Sequence, residues 1–177
     1  GTKTVADFPL FVDVTEVVSG VQNTFNMGNY IVSETGNVGY DAVISGDCAA
    51  DGSVALALGD VKSCTITNND KPAHLVVIKH VINDNGGNAV ASTWTLYATG
   101  PTGFSGAGPS VSNGASFDAG TYDLSESVVS GYTASSWVCV GGTQNDGDTI
   151  TLGLGQNATC TITNDDQPAH LIVIKNV

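Results

Sequence analysis

Along the last strand-like segment of the chain, apolar and polar positions alternate, with Cys160, Ile162 and Asn164 on one face and Thr161 and Thr163 on the other. Successive side chains of a strand point to opposite faces, so this parity predicts a half-buried strand whose inner face includes Asn164. The stretch from Tyr122 to Glu126 follows the same rule, with Tyr122, Leu124 and Glu126 inward and Asp123 and Ser125 outward. From Leu75 to Val81 both faces are apolar, so parity alone leaves either as core, and Lys79 shares the face of Leu75, Val77 and Val81. No long segment carries the 3.6-residue period of an amphipathic helix, and Gly- and Asn-rich turns separate the strand patterns, which predicts an all-β chain.

The pattern is duplicated. Residues 64–79, CTITNNDKPAHLVVIK, return as residues 160–175, CTITNDDQPAHLIVIK, with thirteen identities in sixteen positions. A second pair, YIVSETGNVGY at 30–40 and YDLSESVVSGY at 122–132, makes the repeat a whole domain of about ninety residues rather than a solenoid unit. The expected organisation is a domain at 1–70, a second at 71–166, and a linker with a further strand at 167–177. Parity in the first copy turns Tyr30, Val32 and Glu34 inward, and likewise Cys64, Ile66 and Asn68. In the tail it aligns Leu171, Val173, Lys175 and Val177. Lys79 precedes Trp94 by fifteen residues, but the matching region of the first copy, residues 7–13, begins almost at the N-terminus. The first domain is therefore expected to lack its opening strand, and the tail to carry a spare one.

Composition narrows the partners. A chain of 177 residues supports two small domains, each near the size at which a core alone gives marginal stability. Five lysines against seventeen acids leave a net charge of −12, which argues against nucleic acid and anionic membranes as partners. No apolar run reaches the roughly eighteen residues of a membrane span and no signal peptide is visible, so the chain reads as a mature soluble product. The cysteines fall two per domain, and pairing of Cys48 with Cys64 and of Cys139 with Cys160 is expected, in an oxidising extracellular compartment. No C-x-x-C spacing occurs and His74, His80 and His170 lie on the repeated strands, so no metal site and no cofactor is expected. The acidic turns at 83–88 and 145–148 lack the bidentate glutamate of an EF-hand and read as hairpin turns. Asn157 heads the single N-glycosylation sequon. Trp94, Trp137, Tyr97 and Tyr132 are expected in the core rather than on a sugar-binding platform. No Ser-His-Asp grouping or G-x-S-x-G elbow is present, and a turnover enzyme is not expected.

An amine, a carboxyl group and a carboxamide on one inner face are costly unless they satisfy one another. Burial favours their neutral forms, so Lys79 becomes a nucleophile toward Asn164 while Glu126 polarises the carboxamide and moves protons; ammonia leaves and an amide cross-link remains. The alternative has Lys79 reaching the rim, Glu126 capping a turn and Asn164 bonding locally beside Asp165. The motifs HLVVIKHVINDNGG, YDLSESVVSGY and CTITNDD resemble the transthyretin-like (prealbumin-like) and Cna B-type β-sandwich repeats of microbial surface proteins and pilins. That resemblance covers essentially the whole chain. It implies two tandem transthyretin-like, Ig-like sandwiches and an autocatalytic isopeptide bond between Lys79 and Asn164 promoted by Glu126, with Glu34 and Asn68 as two thirds of a second set.

A sandwich short of one strand exposes unpaired backbone groups beside an apolar groove. The tail repeats the strand that fills this slot in the second domain, so one chain's tail is expected to complete the next chain's first domain. This is donor-strand complementation, and it propagates head to tail as a homopolymer. In that arrangement Lys175 meets Asn68 beside Glu34, with Asn69 excluded by parity. The expected product is an extracellular, cell-surface filament subunit. The rivals are a two-repeat piece of a tandem stalk, a ligand-binding adhesin and an enzyme.

Overall fold

Strands form where the alternation places them. In the computed structural model, which describes residues 1–177, the chain separates into two units, Gly1–Lys71 and Pro72–Val177. Unit 1 contains β1 (Leu10–Val12), β2 (Thr15–Val17), β3 (Gly28–Glu34), β4 (Tyr40–Gly46), β5 (Ser53–Leu56) and β6 (Cys64–Asp70). Four of these form a sheet in the order β2-β1-β3-β5, and β4 pairs with β6 as a separate two-stranded sheet.

Unit 2 contains β7 (His74–Ile82), β8 (Thr95–Thr99), β9 (Phe104–Ala107), β10 (Ser110–Ser112), β11 (Gly120–Glu126), β12 (Tyr132–Ala134), β13 (Val138–Val140), β14 (Thr143–Gln144), β15 (Thr149–Leu152) and β16 (Asn157–Asp166). One sheet runs β10-β7-β16-β12, with β13 also on β16, and the other runs β14-β15-β11-β8-β9. Their facing sides close over one core: Leu75, Val77, Cys160 and Ile162 from the first meet Leu96, Tyr122, Leu124 and Ile150 from the second. This is an all-β sandwich. Trp94 and Trp137 join the core as expected, but Tyr97 does not. It lies between Leu96 and Ala98 on β8, so its side chain takes the outer face.

Registers make the two units superimposable strand by strand. Leu10 faces Glu34 as Leu96 faces Glu126, Tyr30 faces Val54 as Tyr122 faces Ile150, and Tyr40 faces Asp70 as Tyr132 faces Asp166. Unit 1 thus has counterparts of all unit 2 strands except β7, β10 and β14. The absence of β10 follows from that of β7, because β10 pairs with β7 in unit 2. The corresponding stretch between β2 and β3 has no such partner and forms no strand.

Burial records the same deficit. Tyr122, Leu124, Cys160 and Ile162 are at most 4% exposed, whereas their repeats Tyr30, Val32, Cys64 and Ile66 are only half-buried. Phe8 and Cys48 are unit 1's buried hydrophobic residues. Beyond β16, residues 167–177 join no sheet, and Leu171 and Val173 are 86% and 83% exposed. No helix is long and apolar enough to cross a membrane.

β16 ends on a carboxylate that organises the loop after β7. Asp166 accepts backbone N–H groups from Asp84 at 2.9 Å, Asn85 at 3.0 Å and Gly87 at 2.5 Å. Burial alone would raise its pKa, but donation from Gly87, Asn85 and Asp84 outweighs it and holds the group below 3.8. A depressed carboxylate pKa adds stability that is fully present above 3.8 and is lost as pH falls through the lower folded-state value. Acidification below 3.8 is therefore expected to free the Asp84, Asn85 and Gly87 amides before β8 and β11 open, a sequence readable by amide NMR.

Candidate functional site

β7 and β16 run parallel and adjacent, although almost the whole unit separates them in sequence. Their register places Ile162 opposite Lys79 and Asn164 opposite Val81. Lys79 and Asn164 therefore project from neighbouring strands into the same interior. Glu126 ends β11 in the facing sheet and reaches across between them.

The three side chains meet in the interior of unit 2. The Lys79 ammonium pairs with Glu126 Oε2, and Asn164 Nδ2 donates to Glu126 Oε1 at 2.7 Å. Lys79 is 2% and Asn164 3% exposed, and the Lys79 side chain does not snorkel to the rim. Burial lowers the Lys79 pKa below 10.5 even though the hydrogen bond and charge of Glu126 push it upward. Each oxygen of one carboxylate thus faces one nitrogen: the amine that would attack, and the amide nitrogen that would leave. Asn164 Oδ1 is buried without a hydrogen-bond partner, so the carboxamide is held through its nitrogen alone.

Two parts of the site were not assigned from the sequence. Trp94 is more than core, since Lys79 Nζ lies 4.6 Å from its ring centroid and the indole roofs the amine. Tyr132 packs edge-on against Trp94 at 5.1 Å and 85°. The signal was an aromatic residue at the same place in both repeats, Phe8 and Trp94. The second part is Asp166, whose repeat is Asp70, two residues beyond each CTITN run.

The remaining predicted residues fall into three groups. Cys48 is bonded to Cys64 and Cys139 to Cys160, each pair tying the last strand of its unit to a neighbouring segment. In unit 1, Asn68 Nδ2 donates to Glu34 Oε2 at 2.8 Å. Lys175 is not part of this grouping; it is exposed in the tail with Leu171, Val173 and Val177.

The profile of the prealbumin-like fold domain family matches residues 70–162, more than half of the chain. Among solved structures, the chain is similar to the major pilin protein T-13 from Streptococcus pyogenes serotype GAS131465, with 14% identity, 90% of this chain and 88% of that chain covered, and a TM-score of 0.44. It is also similar to the major pilin protein T3.2 from Streptococcus pyogenes serotype GAS13637, with 18% identity, 84% and 70% covered, and a TM-score of 0.45. No curated protein matches.

Proposed function

The chain belongs to the prealbumin-like fold domain family, and from that premise we propose that it is the structural subunit of an extracellular, cell-surface filament, polymerised head to tail through residues 169–177. The observation that carries this reading is the bare edge of β6. Its repeat β16 is flanked by β7 in parallel pairing, while β6 has β4 as its sheet neighbour and no strand in the place of β7. Residues 169–177 match residues 73–81, the opening strand of unit 2, at seven of nine positions. Leu171, Val173 and Lys175 repeat the side chains that β7 turns into the unit 2 interior. Seating this segment beside β6 of another copy would satisfy an open row of backbone groups and cover Cys64, Ile66 and Tyr30.

Within unit 2 the geometry supports a self-catalysed lock. Glu126 takes a proton from Lys79, the neutral amine attacks Asn164 Cγ, and the carboxyl group returns the proton to Nδ2. The Nζ–Cγ bond forms, the Cγ–Nδ2 bond breaks and ammonia departs. Each chain performs this once, which is maturation rather than turnover.

Removal of residues 169–177 tests the assembly. The truncated chain is expected to remain monomeric in light scattering and electron microscopy under conditions in which the full chain forms filaments. Filaments of unchanged appearance from the truncated chain would show that unit 1 draws its missing strand from elsewhere and would exclude the tail as donor.

A further inference from the structure

Unit 1 repeats the Lys79–Glu126–Asn164 grouping with one member missing. Phe8 is buried and packs edge-on to Tyr40 at 5.3 Å and 78°, reproducing the Trp94–Tyr132 roof. Asn68 binds one oxygen of Glu34 as Asn164 binds one oxygen of Glu126. In unit 2 the other carboxylate oxygen holds Lys79. In unit 1 the other oxygen, Glu34 Oε1, is buried and has no partner. The lysines of unit 1 are engaged elsewhere: Lys3 with Asp7, Lys62 with Asp60 and Lys71 with Asp41. A buried carboxylate oxygen without a donor is costly, and the donor that would relieve it is the counterpart of the Lys79 ammonium.

The frame relating the two units is fixed to the residue. Lys3 N–H donates to the Tyr40 hydroxyl as Ala89 N–H donates to that of Tyr132. A side chain at Gly1 would strike the Tyr40 hydroxyl and Asp70, as one at Gly87 would strike the Tyr132 hydroxyl and Asp166. Gly1 therefore stands at the position of Gly87, and the open place beside β6 corresponds to that of β7 beside β16. In the tail, Lys175 occupies the place of Lys79.

Resting on the filament reading, we propose that unit 1 is a ligation half-site, which Lys175 of a second copy completes and through which Lys175 Nζ becomes joined to Asn68 Cγ. Filament growth and covalent sealing are then one event, with no separate ligase. Glu34 Oε1 receives a proton from the incoming ammonium, the freed amine attacks Asn68 Cγ, and Glu34 Oε2 passes a proton to the departing Nδ2. In sum, one lysine ammonium and one carboxamide become a secondary amide and an ammonium ion, and Glu34 ends as it began. Phe8 shields the amine from water as Trp94 does in unit 2. Asn69 is exposed on the opposite face of β6 and takes no part.

The test separates assembly from sealing. Wild-type filaments boiled in detergent with reductant are expected to run as a ladder of multimers, while K175R filaments, visible by electron microscopy, collapse to monomer on the gel. N69A keeps the ladder. K175R retains an intact acceptor and N68A an intact donor, so mixing the two is expected to yield a detergent-resistant dimer that neither gives alone. The linked peptide should contain Lys175 and Asn68 and weigh one ammonia less than its parts. Wild-type filaments that dissolve fully into monomers would overturn the ligation and leave strand exchange standing, and a ladder surviving in K175R would overturn the assignment of the lysine. Absence of filaments from the full chain would remove both readings.

Discussion

Glu126→Gln is expected to keep the full mass of its own sequence, with no ammonia lost, and to lower the melting temperature of unit 2 steeply. The proposed Lys79–Asn164 bond would close a separation of eighty-five residues. By the chain-entropy estimate used for disulfides, such a closure stabilises by about 4–5 kcal/mol. For a domain of this size that corresponds to on the order of 20 °C or more in melting temperature. Glutamine retains the shape of the side chain but cannot carry a proton from amine to leaving group, so the loss reports chemistry as well as packing. Asn164→Ala supplies the control, because it abolishes the bond while leaving Glu126 paired with Lys79. Intact mass under reducing conditions and calorimetry read both effects. A Glu126→Gln chain one ammonia lighter than its own sequence would exclude the carboxylate as promoter.

A free peptide with the sequence of residues 169–177 is expected to dock on the truncated chain and protect unit 1. At a hundredfold excess over its dissociation constant, such a ligand stabilises the unit it binds by about 2.7 kcal/mol. Hydrogen exchange should slow most in β6 and in the stretch between β2 and β3, which pairs with no strand in the isolated unit but corresponds to the segment that holds β10 in unit 2. A peptide carrying Val173→Asp places a charge where Val77 is fully buried in unit 2 and is expected not to bind. Equal protection by both peptides would mean that the contact is not the strand insertion described.

Side-chain parity makes much of the site legible in the sequence. It turns Glu126 and Asn164 inward, because the residues flanking each alternate cleanly, and it places Lys79 on one face of an apolar strand. Which face of β7 is the core is not legible, since Val76 and Ile78 are as apolar as Leu75 and Val77; the decision comes from the facing sheet. The parallel pairing of β7 with β16 is equally non-local, because strand order depends on the closure of the whole sandwich and leaves no mark in either segment. Tyr97 departs from the expected core position because aromatic character says nothing about face, whereas its place between Leu96 and Ala98 does. The roles of Trp94 and Asp166 lie in distances to residues remote in sequence. Their repeats Phe8 and Asp70 are visible along the chain, but the reason for their recurrence is not.

The side-by-side course of the first and last strands of unit 2 determines how the unit responds when it is pulled from its two ends. Tension enters at the start of β7 and exits at the end of β16, so it shears one parallel pair lengthwise instead of peeling the sandwich open. With Lys79 joined to Asn164, the force crosses from one strand to the other through a single amide, and everything between those two residues is bypassed. A unit locked in this way would not extend under strain, and a string of them would transmit a tug as a taut cable does.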